Sequence, residues 1–170
     1  MSVTAELLVN MKILQTGSAL GTPTLDVPFR YSANIADGTA AGQADIFYGA
    51  VRTVADGAND DIDLAGSLSD AYGSTITAAE LVALMLINRP ETGANTTDLT
   101  LGGGTNPMIG FLGGTTPTVG PIKPGGVLFL AATDAAGIGT VTAGTGDILR
   151  ITNGSGAANS YTIAMLARSA

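Results

Sequence analysis

The segment DILRITNGSGAANSYTIAMLAR, residues 147–168, decides the fold. It holds two runs rich in residues favoured in strands, DILRITNG (147–154) and NSYTIAMLAR (159–168), separated by a polar, glycine-bearing joint. Upstream the same unit recurs in TTDLTLGGG (96–104), PMIGFLGG (107–114), GGVLFLAAT (125–133) and GTVTAG (139–144). Short strands punctuated at regular intervals by Gly, Asn, Asp and Pro are the mark of a sandwich or barrel.

The N-terminal half follows the same pattern. TAELLVNMKILQTG (4–17) is helix-compatible by propensity, yet Leu7, Val9, Met11 and Ile13 alternate, which favours a strand or extended arm. TLDVPFRYSANIA (24–36) alternates Leu25, Val27, Phe29, Tyr31, Ala33 and Ile35, and Pro28 points to an edge strand or bulge. QADIFYGAVRTVADG (43–57) reads as a further strand ending in Asp-Gly. In TITAAELVALMLINRP (75–90), Thr77 and Glu80 have capping-box spacing, so a short helical turn is expected before a central buried strand at 81–88. Together these predict an all-β sandwich of about eight or nine strands with at most one or two short helical turns. One domain spans 1–170, with 1–16 as an N-terminal strand or arm, and deleting that arm is expected to weaken assembly more than folding.

LMLINRPETGANTTDLTLG and ILRITNGSGAANSYTIAML echo each other: strand, Asn, glycine-containing loop, polar entry, strand. Two unrelated hairpins would look this alike. Two hairpins at equivalent places in a two-sheet Greek key would as well.

Composition narrows the function. Charged residues make up 12% of the chain, about half of what is usual, and the net charge is −7. Such a surface suits a protein packed against copies of itself or a partner. The seven Lys and Arg residues are scattered, which argues against a nucleic-acid partner. The chain has no His and no Cys, which removes Ser–His–Asp and Cys–His catalysis, thiolate or imidazole metal sites, and disulfides. The N-terminal MSVTAELLVNMKILQTG lacks a basic n-region and an unbroken apolar stretch, so no signal peptide is expected. No segment reaches the ~20 apolar residues of a membrane span.

NDDIDLAGSLSDAYG (59–73) is the one stretch that looks like chemistry. Read as an EF-hand loop from Asp61, it places Asp63 and Gly66 correctly but puts Ala65 and Tyr72 where ligands are required. Asp60, Asp61 and Asp63 remain candidates only for a looser calcium site. The structural alternative has Ile62 and Leu64 pointing inward, with Asp60 and Asp61 solvated and Asp63 outward. Fourteen acidic residues always supply pairs, so a glycosidase-like pair carries no weight by itself. LGGGTNP (101–107) and LGGTTPTVGP (112–121) lack the Lys-Ser/Thr of a phosphate loop. Tyr31, Tyr48, Tyr72 and Tyr161 are the only tyrosines available to stack on a sugar, the basis of an alternative reading as a carbohydrate-binding or receptor-binding module.

Across residues 61–168, the run DIDLAGSLSDAYGSTITAAELVALMLIN, then LTLGGGTNP, IKPGGVLFL and TGDILRITNGSGAANSYTIAMLAR, resembles small structural proteins of tailed bacteriophages. The resemblance implies a jelly-roll-like β-sandwich in the virion, made in the host cytoplasm. Its implied role is a capsid decoration (cement) protein, a homotrimer bridging neighbouring major capsid subunits, with a tail or head-completion role as the other virion option. It offers interfaces and no functional residue to carry over; with the charge and hydropathy readings, no catalytic residue, no cofactor, and neither nucleic acid nor membrane as partner are expected.

Overall fold

The computed structural model describes residues 2–16, 24–89, 94–108 and 110–170, with nothing said of the Leu25 side chain. In chain order the strands are β1 (Ala5–Thr16), β2 (Thr24–Ile35), β3 (Ile46–Val54), β4 (Asn59–Asp63), β5 (Ala65–Ser69), β6 (Thr75–Thr77) and β7 (Glu80–Ile87). There follow β8 (Leu99–Gly102), β9 (Thr118–Ile122), β10 (Val127–Ala131), β11 (Gly139–Thr140), β12 (Ile148–Asn153) and β13 (Asn159–Arg168). The fold is all-β, as expected, and no helix occurs among the described residues.

Two antiparallel sheets carry the body. The first has the order β10-β7-β13-β3, with β11 also paired to β7, and the second has the order β4-β12-β8-β9. These two sheets hold nine of the thirteen strands among the described residues, against about eight or nine expected for the whole chain. Alternation, shifted by a register break in β7 opposite Leu166 and Ala167, sends Leu81, Leu84, Leu86 and Ile163 of the first sheet against Ile62, Leu99, Leu101, Leu149 and Ile151 of the second, and all are buried in one cluster. β7 lies between β10 and β13 and is apolar on both faces because both are covered: Leu81, Leu84 and Leu86 pack against the second sheet, and Val82 and Ala83 against Val3, Leu7 and Ile35.

Three local expectations are corrected. Thr77 and Glu80 do not open a helical turn: Thr77 ends β6, and Glu80 begins β7 opposite Arg168. Pairing of the whole β7 strand with β13 outweighs one local capping signal. The segment 107–114 is not a strand. Pro107 makes a single bridge to Ile148, and Gly110 lies so close to the backbone of Gly139 that a side chain on either would clash. Ile109 lies outside the described residues.

The third correction concerns the echo. Neither member is a hairpin within one sheet, because β7→β8 crosses from the first sheet to the second and β12→β13 crosses back. The two crossings run side by side, since β7 pairs with β13 and β8 with β12. Residues 90–93 of the first crossing lie outside the described residues.

Outside the body, β1 and β2 form their own two-stranded sheet in an unbroken twelve-pair register from Ala5↔Ile35 to Thr16↔Thr24. At about 3.4 Å per residue, this hairpin is about 40 Å long. Only its root is seated. Val3, Leu7 and Ile35 are buried in a second cluster with Ala44, Val82, Ala83 and Leu166 on the outward side of the first sheet. From Leu8 to Thr16, β1 is exposed throughout.

Candidate functional site

Antiparallel register fixes which side chains share a face of the arm, because directly paired residues point the same way. Leu7, Val9, Met11 and Ile13 therefore stand beside Ala33, Tyr31, Phe29 and Val27 on one face. The opposite face carries Glu6, Asn10, Lys12, Asp26, Arg30, Ser32 and Asn34, with a Lys12–Asp26 ion pair at 2.9 Å, and two leucines among them, Leu8 and Leu14, 60% and 64% exposed. The hairpin is thus amphipathic, as a half-buried hairpin should be, yet Met11 and Phe29 are each 54% exposed and Tyr31 48%. A lone two-stranded hairpin is marginal in water, so an apolar face of this length is built for contact. The alternation of 4–17 and 24–36 was legible in the sequence; that the two segments pair with each other, away from the body, was not.

The outward faces of the two body sheets differ sharply. On the second sheet, Arg150 on β12 donates to Asp61 on β4 through Nε and Nη2, both at 2.6 Å, and Thr152 donates to Asn59. That is the polar exterior an antiparallel sheet normally shows. The register of the first sheet places outward Phe47, Gly49, Val51 and Thr53 on β3, and Ser160, Thr162, Ala164 and Leu166 on β13. Ala83, Met85 and Ile87 on β7 and Val127, Phe129 and Ala131 on β10 complete the face. None of these positions is charged. The arm root covers the end near Ala83 and Leu166, and a groove of about 390 Å³ runs between the chain at 3–8 and Phe47, Met85, Phe129 and Met165. Further along, Val51 and Val127 stand in water.

The acidic stretch has a different character. Asp60 is not solvated: it shares the inward face of β4 with buried Ile62, as a period of two requires. Its carboxylate joins the two sheets, accepting from Arg52 Nε and Nη2 on β3, both at 2.6 Å, and from Tyr161 Oη on β13 at 2.6 Å. Arg52 also donates to Tyr48 Oη at 3.0 Å. Burial opposes ionisation of Asp60, but the bonds from Arg52 and Tyr161 outweigh it and hold the carboxyl below its ordinary value. Burial, then the Asp60 carboxylate, pushes the Tyr161 phenol up. Asp61 faces outward and is held low chiefly by Arg150. Asp63 accepts from the Ala65 amide, and Ile62 and Leu64 are buried, as the structural reading of this stretch anticipated.

The candidates Asp60, Asp61 and Asp63 are thus drawn to separate partners. Among the described residues, no group of three or more carboxylates converges as a metal site would need. Addition of a chelator is expected to leave the melting temperature unchanged; a fall of several degrees, reversed by calcium, would contradict this placement.

Tyr48 and Tyr161 belong to this inter-sheet cluster and are buried, whereas Tyr31 lies on the arm and Tyr72 in the turn between β5 and β6.

A second polar assembly pins the two sheet crossings. Asn88 donates to the carbonyls of Thr97 and Ile122 at 3.0 and 2.8 Å, and its Oδ1 accepts from Asn95 and Asn159. Thr97 Oγ1 donates to Asn153 Oδ1 at 2.6 Å, and Asn153 Nδ2 donates to the carbonyls of Ala55 and Ala157. Asn88, Asn153 and Asn159 are fully or almost fully buried. The signal for them was the asparagine recurring at both strand ends of the echo.

No protein-family model, curated protein or solved structure matches the chain.

Proposed function

We propose that this chain is a non-enzymatic structural protein of a tailed-phage particle. It decorates the outer surface of the head as a homotrimer and braces contacts between major capsid subunits. The observation that carries the reading is the arm of β1 and β2, whose apolar face is left open over most of its length. The uncharged outward face of the first sheet and the low charge of the whole chain support it, since both suit a protein that acts by burying surface. The polar clusters supply no open chemistry: the Asp60 carboxylate is held by Arg52 and Tyr161.

Electron microscopy of particles carrying a gold-labelled chain tests the assignment. Label distributed over the head surface is expected; label confined to the tail, or absent from particles, would overturn it.

A further inference from the structure

The arm and the first sheet leave two apolar surfaces uncovered in one chain, and they match in character. The arm offers Val9, Met11, Ile13, Phe29 and Tyr31, with no charge among them. The sheet offers Phe47, Val51, Ile87 and Val127, likewise without charge, with Val51 51% and Val127 60% exposed. Gly49 sits within this face, and the Phe47 ring lies over it, so the surface stays low enough for a flat hairpin to approach.

The root of the arm already shows what this face binds. Within one chain, Leu7 and Ile35 pack on Ala83 and Leu166 of the first sheet, through the same face of the hairpin that Val9, Met11 and Phe29 continue.

We propose that the apolar face of the β1–β2 arm seats on the outward face of the first sheet of a second copy of this chain. The inference rests on the reading of the arm as an association surface and names what it meets. Three features select a second copy. The contact extends an interface the chain makes with itself. It desolvates no charge, because Lys12, Asp26 and Arg30 remain on the water side of the arm. The five large side chains of the arm expose on the order of 500 Å² of mainly apolar surface. With a matching area on the sheet, the total approaches the roughly 1,000 Å² that separates a specific interface from an incidental one. Because donor and acceptor surfaces differ, the contact closes either by exchange between two chains or around a ring.

The chain has no cysteine, so introduced thiols report the contact without background. Full-length Met11→Cys and Val51→Cys variants, one bearing a mass tag, are mixed and oxidised. A disulfide-linked pair containing one of each is expected to predominate over both self-linked pairs, and to be lost when Val127→Asp is added to the Val51→Cys chain. Predominant Met11→Cys self-linkage would show arms meeting arms. Predominant Val51→Cys self-linkage would show sheets meeting sheets. Either result overturns the inference, as does the absence of linkage together with a single-chain mass by light scattering. A single-chain species that still bound phage heads would overturn this contact while leaving the head-decoration reading intact.

Discussion

Asp60→Ala is expected to lower the melting temperature by about 10 °C. The substitution strands the Arg52 guanidinium between the sheets and leaves Tyr161 Oη, on a residue with no exposure, without its acceptor. Removing one partner of a buried ion pair costs about 3–5 kcal/mol; Asp60 keeps 14% of its side chain exposed and Arg52 29%, so about 3 kcal/mol is the appropriate figure. For a chain of this size each kcal/mol shifts the midpoint by about 2–4 °C. The pair Arg52→Met with Asp60→Leu is expected to cost less than Asp60→Ala alone, because no charge is then stranded.

The same cluster sets an acid limit. A carboxyl whose folded value lies below the ordinary 3.8 contributes stability that is present above that value and lost as pH falls through the folded one. Thermal scans should therefore show stability falling below about pH 4, and Asp60→Asn should flatten that fall. A loss under about 2 °C for Asp60→Ala would contradict the inter-sheet role assigned to this residue.

Asn88→Leu is expected to destabilise by a similar amount, about 3 kcal/mol, through a different mechanism. The leucine fits the volume, but the buried Ile122 carbonyl loses a donor, and the buried amide of Asn159 and the half-buried amide of Asn95 lose a shared acceptor. Because Asn88 and Asn159 bond each other, the double variant with Asn159→Leu should cost less than the two singles added together. Strict additivity in denaturant melts would mean that the two crossings are not held by one network.

Much of the fold was legible because period two is a strong signal wherever one face is buried. The alternation in 24–36, the central strand at 81–88 and inward Ile62 and Leu64 all followed from it. The same rule places Asp60 beside Ile62, yet an aspartate is seldom buried without a partner. Its partners, Arg52 on β3 and Tyr161 on β13, come from the opposite sheet, and nothing local in the sequence announces them. Asn88, Asn153 and Asn159 were hidden likewise: an asparagine at a strand end reads as turn chemistry until the facing crossing is known. The arm was half legible. Its apolar alternation was plain, but nothing in the strand-or-arm reading of 4–17 said what it pairs with, and β1 pairs with β2 of its own chain. Deletion of residues 1–16 therefore does more than free an arm: it removes Val3 and Leu7 from the second core cluster and leaves β2 unpaired. Point substitutions on the exposed face separate assembly from folding more cleanly.

Co-sedimentation with expanded phage heads that lack this protein tests the central claim most directly, using the intact chain, the Met11→Thr/Phe29→Thr pair, which keeps strand-favouring residues at two directly opposed positions, and Asp61→Asn. The intact chain and Asp61→Asn should sediment with the heads, and the arm variant should remain in the supernatant while melting within about 2 °C of the intact chain, since both of its substitutions lie on exposed positions. Equal sedimentation of the arm variant would overturn the role given to the arm, and no sedimentation of the intact chain would contradict head binding itself.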